Sequence, residues 1–159
     1  MANAIEANKW KHVAKALQQS ERLLQATLDG DEQAVAKGIE AVHDENTSIL
    51  SYNDENSLSC VLSIAYYFAK NNYIIHRELP TGKGFADLVF IPRKNVDSPA
   101  LVVELKCDKD AKTAISQIKD KNYPQQVASY TGNILLVAIT YDRQSKQYSC
   151  LIETWTANS

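Results

Sequence analysis

The run Leu101–Cys107, with the sequence LVVELKC, constrains the fold more than any other segment. Five apolar residues surround one acid and one base, and a short apolar run of this kind is typical of a strand inside a sheet. Successive side chains of a strand point to opposite faces, so Glu104 and Lys106 share one face and Leu105 lies on the other. A buried carboxylate costs free energy unless it is paired or binds a cation. We therefore expect a partner or a cation at Glu104.

A second acid lies in the preceding apolar run. Asp87 interrupts the segment 84–91, GFADLVFI, which also has the composition of a strand. If the two strands pair as a hairpin, Asp87 and Glu104 converge on one face. Two carboxylates and a backbone carbonyl oxygen are the ligands that a hard divalent cation such as Mg²⁺ prefers. A solvated surface pair is the alternative interpretation of Glu104 and Lys106, and Asp87 makes it less favoured.

The rest of the sequence predicts a mixed sheet with helices around it. A helical hairpin is expected over residues 1–50, with Gly30 ending its first helix and Asp29 or Asp31 capping its second. The later elements are a helix, three strands, a helix and two strands, at 53–70, 73–79, 85–91, 100–107, 111–121, 133–140 and 147–153. Short gaps between the first three strands favour antiparallel neighbours. The predicted fold class is α/β, with residues 51–159 forming the core domain.

Composition excludes several classes of protein and selects none. The chain has 159 residues, of which 45% are hydrophobic and 23% charged, and its net charge is −2. This length suits one globular domain, and this charge gives no general reason to bind nucleic acid or an anionic membrane. Three cysteines without metal-ligand spacing predict reduced thiols. No membrane span or signal sequence is visible, so we expect a soluble, cytoplasmic protein.

Three motifs in this order resemble those of the PD-(D/E)XK nuclease superfamily. They are the segment Gly84-Phe85-Ala86-Asp87, a turn that leads into the strand carrying Asp87; the Glu104-Leu105-Lys106 strand; and a helix with Gln117-Ile118 followed by Tyr123. Ala86 stands where the name-giving proline would be. The chain looks most like the branch found C-terminal to bacterial AAA-type ATPase-like domains. The resemblance implies a restriction-endonuclease-like fold and a metal-dependent nuclease with DNA as the expected substrate, attached to an upstream ATPase in a longer natural chain.

The resemblance also implies roles for the central residues. Asp87 and Glu104 would ligate Mg²⁺ or Mn²⁺, with the Leu105 carbonyl as a third ligand. The cation would activate a water and stabilise charge on the phosphate. Lys106 would orient that water or neutralise developing charge. Gln117 would form a hydrogen bond near Lys106 or the water, and an exposed helix glutamine is its alternative interpretation.

Three further residues are weaker candidates. Glu55 matches the place of an extra acidic metal ligand in many family members, but Asp54 or plain helix capping are alternatives. Lys83, in a glycine-rich loop, could bring its charge to a phosphate backbone. Tyr123 could support the site, although simple packing is the favoured interpretation.

Two other function classes compete with the nuclease hypothesis. The fold could serve as a non-catalytic module that binds nucleic acid or a protein, and the acidic net charge favours this reading. Residues 1–50 could instead form a helical adaptor. Against the first stands the complete set of Asp87, Glu104 and Lys106.

Overall fold

The computed structural model describes residues 2–45, 55–77, 87–120 and 133–156. The α-helices are α1 (Ala2–Leu28), α2 (Glu32–Glu45), α3 (Glu55–Ala65) and α4 (Ala111–Asp120), and a 3-10 helix covers Tyr67–Asn71. The strands are β1 (Tyr73–Arg77), β2 (Asp87–Pro92), β3 (Ala100–Cys107), β4 (Asn133–Asp142) and β5 (Gln147–Thr156). This order confirms the predicted succession of elements. None of the helices in the described ranges is long and apolar enough to cross a membrane.

The five strands form one mixed sheet in the order β1-β2-β3-β4-β5. Neighbouring strands are antiparallel except for β3 and β4, which are parallel. The antiparallel pairing of the first three strands confirms the expectation from their short connections. A parallel pair needs a crossover connection, and α4 lies in the connection between β3 and β4. The run that contains Glu104 and Lys106 is thus the central strand.

Each face of the sheet has its own apolar layer. Ala100 and Val102 of β3 pack in a cluster with Ile115 and Ile118 of α4. Leu101 and the alternate residues after it pack on the opposite face, in a cluster with side chains from α1, α2 and α3. The near-continuous apolar sequence of β3 follows from this arrangement, because both of its faces are covered.

The first two helices share their core with the sheet. Five buried apolar side chains of α1 and α2 belong to the same cluster as the strand residues of that face, namely Leu23, Leu24, Val35, Ile39 and Val42. At the first residue of α2, the Glu32 Oε2 atom accepts a hydrogen bond of 2.7 Å from the backbone N–H of Ile152 in β5. The hairpin is therefore part of the packed structure.

The turn between α1 and α2 is built as the sequence predicts. Gly30 has a φ of +74°, a left-handed conformation that glycine adopts without steric cost. The N–H of Gly30 bonds the Thr27 carbonyl at 3.1 Å, and the N–H of Asp31 bonds the Ala26 carbonyl at 2.9 Å, which is the Schellman pattern. Asp31 then caps α2, because its Oδ1 accepts from the Ala34 N–H at 3.2 Å.

The single helix predicted over 53–70 is wrong at its end. The α-helix ends at Ala65, and a 3-10 helix follows. At the break, the Phe68 N–H donates to Ser20 Oγ of α1 at 2.8 Å, and the Tyr66 hydroxyl bonds Thr27 Oγ1 of α1 at 2.8 Å. The bond to Ser20 takes the place of a helical bond for the Phe68 N–H, and the Tyr66 contact ties the same point of the chain to α1. Residues 78–86, which hold the predicted end of β1 and start of β2, lie outside the described residues.

His43 of α2 is buried in an aromatic cluster against the sheet. Its Nδ1 atom is 2.7 Å from the Tyr148 hydroxyl, and its ring stacks on Tyr141 with 5.2 Å between centroids. Burial lowers the pKa of His43 below its ordinary value of 6.5, and the charges of Asp44 and Glu40 oppose this shift in part. The folded protein therefore favours the neutral imidazole.

We expect His43 to make the protein less stable in mild acid. Below about pH 6.5 the unfolded chain binds a proton at this residue that the folded chain disfavours, so the free energy of unfolding falls by up to about 1.4 kcal/mol per pH unit. Urea denaturation of the wild type and of His43→Gln between pH 7.5 and 5 measures this effect. As the pH falls, the free energy of unfolding of the wild type should decrease more than that of His43→Gln. A difference that does not change with pH contradicts the assignment.

Candidate active site

Glu104 and Lys106 are fully buried in the centre of the sheet. Both residues have 0% exposure, although charged side chains are almost never fully buried unless they are paired. Strand alternation puts them on the same face as Ala100 and Val102, which is the face covered by α4. Leu105, between them, packs in the opposite layer. The solvated surface pair considered as an alternative is therefore excluded for these two residues.

The backbone register places Asp87 directly opposite Glu104. They are Cα partners in the antiparallel pair of β2 and β3, and directly opposite residues of such a pair share a face. The predicted hairpin therefore brings the two acidic positions together. The side chain of Asp87 lies outside the described side chains.

Helix α4 brings Gln117 to the same side of the sheet. Its neighbours Ala114 and Ile118 pack against the strands, and Gln117 lies three residues after the first of them. The Oε1 atom of Gln117 is buried and has no hydrogen-bond partner among the described residues. A buried amide oxygen without a partner costs about 1–3 kcal/mol, which points to a functional reason for its presence. The exposed-glutamine interpretation is not supported.

The side chains of the other predicted site residues lie outside the part of the chain that the structure describes. Helix α3, which begins at Glu55, packs on the face opposite α4. The side chain of Glu55 is outside the described side chains, so its role as an extra ligand stays a prediction. Lys83 and Tyr123 lie outside the described residues altogether.

The segment between β3 and α4 is fixed by two aspartates. The Asp108 carboxylate binds Arg143, with Oδ2 2.6 Å from Nε, and its pKa is lowered chiefly by the hydrogen bond from the Arg143 N–H. Asp110 caps α4 through a 2.7 Å bond from the Thr113 N–H, and bonding from Thr113 lowers its pKa. These contacts hold the chain in place directly after Lys106.

The residues present fit a hard divalent cation. Among the described side chains there is no group of three or more His, Cys, Asp or Glu that could hold a metal ion. The candidate donors are two carboxylates at opposed positions of one hairpin, one of them on a fully buried side chain. Oxygen donors of this kind suit Mg²⁺ or Mn²⁺ better than softer metals.

A family profile described as PD-(D/E)XK nuclease superfamily matches residues 53–150, which is more than half of the chain. The chain belongs to the PD-(D/E)XK nuclease superfamily. The five-stranded mixed sheet with helices on both faces is consistent with the restriction-endonuclease-like fold of this superfamily. The match begins after α2, so the two front helices lie outside the part recognised as PD-(D/E)XK. No curated protein matches the chain.

The structure adds a polar residue that the sequence analysis of this PD-(D/E)XK chain missed. Thr140 of β4 is the Cα partner of Lys106 and is 6% exposed. On the next strand, Ser149 is in turn the partner of Thr140. The available signal was a hydroxyl near the end of the otherwise apolar run 134–139. The parallel register with β3 is needed to place this hydroxyl next to Lys106.

Proposed function

We propose that this protein is a metal-dependent nuclease that hydrolyses phosphodiester bonds of nucleic acid, with DNA as the expected substrate. The observation that carries the proposal is the fully buried pair Glu104 and Lys106 on one face of β3, with Asp87 the register partner of Glu104 in the same hairpin. Membership of the PD-(D/E)XK superfamily supports nuclease chemistry. The expected products carry a 5′-phosphate and a 3′-hydroxyl.

In this proposal Asp87 and Glu104 hold Mg²⁺ or Mn²⁺, together with the backbone carbonyl of Leu105. When bound, such a cation supplies an activated water and stabilises negative charge on the phosphate. Because Glu104 is held in the central strand, its carboxylate is positioned before substrate binds, which reduces the cost of reorganisation during reaction.

Lys106 and Gln117 complete the proposed machinery from two different elements. The Lys106 ammonium, a compact positive charge, faces the same side as Glu104 and neutralises charge that develops on the phosphate. The buried Gln117 Oε1 atom accepts a hydrogen bond at the site, from Lys106 or from the attacking water. Its unsatisfied position among the described residues supports this role.

Further residues and one partner domain are proposed to act around Asp87, Glu104 and Lys106. In the same proposal Glu55 is an additional metal ligand, and Lys83 and Tyr123 bind the substrate, Lys83 at the phosphate backbone. The upstream AAA-type ATPase domain is a proposed partner in a longer chain. None of these is needed for the cleavage test below.

Cleavage is expected to require a divalent cation. Labelled single-stranded DNA, duplex DNA and single-stranded RNA are incubated with the protein and Mg²⁺ or Mn²⁺. Cleavage should occur with either cation and disappear when EDTA is in excess, because EDTA removes the ion that the two carboxylates hold. Restoring cleavage by adding Mg²⁺ back is the control for damage by EDTA. Cleavage that persists in EDTA contradicts the proposal.

A non-catalytic module is the second candidate, and the acidic net charge of −2 favours it. It predicts that the wild type binds a partner without cleaving any member of the panel, with or without a cation. The burial of both Glu104 and Lys106 argues against this candidate, because a binding module gains nothing from two charges at the centre of its sheet.

A further inference from the structure

A polar cleft lies beside the ends of β3 and β4, on the side of α4. Its volume is about 640 Å³, within the range of about 300–1,000 Å³ that holds small organic ligands. The lining comes from the loop after β3, the start of α4 and the last two strands. It includes Asp108, Lys109, Thr140, Asp142, Gln147 and Ser149.

The cleft lies one strand away from Lys106 of the candidate active site, because Thr140, which lines it, is the register partner of Lys106. Lys106, Thr140 and Ser149 are consecutive partners across β3, β4 and β5, so they form one polar row on the face of α4. Neighbouring strands are about 4.8 Å apart. The backbone of Thr140 is therefore about one strand spacing from that of Lys106, and Ser149 is one strand further.

Thr140 gives an independent sign that a ligand belongs here. Its side chain is 94% buried, with 6% exposure, and it lines the cleft. Within the part of the chain that the structure describes, its hydroxyl has no hydrogen-bond partner. The residue lines the cleft, so a ligand bound there can offer a hydrogen-bond donor or acceptor to its hydroxyl.

The charges of the cleft disfavour phosphate as the group it holds. Three carboxylates line it, those of Asp108, Asp110 and Asp142, against the single ammonium of Lys109. Asp108 is bound to Arg143, but the balance of the lining stays negative. A phosphate would be repelled here, whereas a neutral group with N–H and O–H donors is attracted to carboxylates.

We propose that the cleft binds an unpaired nucleoside of the substrate strand, next to the phosphate that is cleaved. This proposal rests on the proposed nuclease function. The edges of an unpaired base supply the neutral donors and acceptors that Thr140, Gln147 and Ser149 can bond. A base in a duplex has its pairing edge occupied and cannot enter, so the preferred substrate is single-stranded or has a frayed end.

The first test measures binding without cleavage. In a Glu104→Gln background, binding of a fluorescent single-stranded oligonucleotide is compared among Thr140→Val, Gln147→Ala and Ser149→Ala. Each change removes one neutral hydrogen bond, so Kd should rise about 2- to 10-fold. Gln33→Ala and Ser145→Ala are matched controls, because both side chains are exposed and neither lines the cleft. Controls should leave Kd unchanged.

The second test uses the active protein. The cleft variants should raise KM for single-stranded substrate and leave kcat near the wild-type value, since they hold a nucleoside and not the reacting phosphate. The wild type should cleave single strands faster than a blunt duplex of the same sequence.

The outcomes separate the two proposals. If all three cleft variants keep the wild-type Kd and KM while cleavage still depends on Lys106, the nucleoside-binding proposal is wrong. The nuclease proposal is unaffected by that result. Equal cleavage of single strands and blunt duplexes also overturns the cleft. If the wild type cleaves none of the substrates, the nuclease proposal is wrong. The Kd measurements still test whether the cleft binds a nucleoside, because they do not require turnover.

Discussion

Replacing Lys106 with methionine is expected to reduce the cleavage rate by roughly 10²- to 10³-fold or more, the loss typical when one charge-stabilising group is removed from an active site. Glu104→Gln and Asp87→Asn should cause losses at least as large, because each removes a ligand of the cation that activates water. Single-turnover rates with saturating Mg²⁺ measure the effect. Near-normal secondary structure by circular dichroism shows that the variants fold.

Matched controls come from the turn between β2 and β3. Lys94 and Asp97 are exposed, and they belong to the same hairpin as the proposed site. Lys94→Met and Asp97→Asn therefore repeat the chemical changes without touching the site, and they should keep wild-type rates. If the three site variants keep wild-type rates as well, the assignment of Asp87, Glu104 and Lys106 is wrong.

Deleting residues 1–45 is expected to abolish folding. Among the described side chains, the deletion removes five buried apolar ones, namely Leu23, Leu24, Val35, Ile39 and Val42. Burial of one such side chain contributes about 1.5–3 kcal/mol, so the five together approach the whole stability of a typical domain, about 5–15 kcal/mol. Circular dichroism and urea denaturation of the shortened chain test the expectation.

Point substitutions separate loss of packing from loss of chain length. Ile39 is fully buried and Lys37 is exposed on the same helix. Ile39→Ala should lower the free energy of unfolding by about 2–5 kcal/mol, whereas Lys37→Ala should change it by no more than about 0.5 kcal/mol. A shortened chain that unfolds cooperatively at the wild-type urea midpoint contradicts the prediction.

This expectation changes how the adaptor hypothesis is tested. Loss of cleavage in a chain without residues 1–50 would report unfolding, and would say nothing about a partner of the front helices. Substitutions at exposed positions of α1 and α2 are the appropriate probe. The division into a front segment of 1–50 and a core of 51–159 stays a prediction about function.

Periodicity predicted the order of the elements because each segment carries its own signal. The apolar run of β3 and the helical spacing of α4 are readable within a few residues, and so is the turn at Gly30. Even the opposition of Asp87 and Glu104 follows from a short hairpin. Local chemistry was sufficient wherever a contact joins residues near each other in sequence.

The features that escaped prediction depend on contacts between distant segments. The α-helix ends before Phe68 because Ser20, 48 residues earlier, takes its N–H. Thr140 belongs beside Lys106 only through the parallel register of β3 and β4, which no local pattern encodes. The same holds for His43, whose partner Tyr148 lies 105 residues away.

The hydrogen bond from Ile152 to Glu32 has a consequence for the behaviour of the protein in concentrated solution. β5 is a terminal strand of the sheet and ten residues long, and a long open strand is a template for pairing with another chain. The Glu32 carboxylate accepts a hydrogen bond from the Ile152 N–H of β5, and α2 packs beside this strand. The second helix thus protects each molecule from its neighbours, and weakening its contact with β5 favours aggregation.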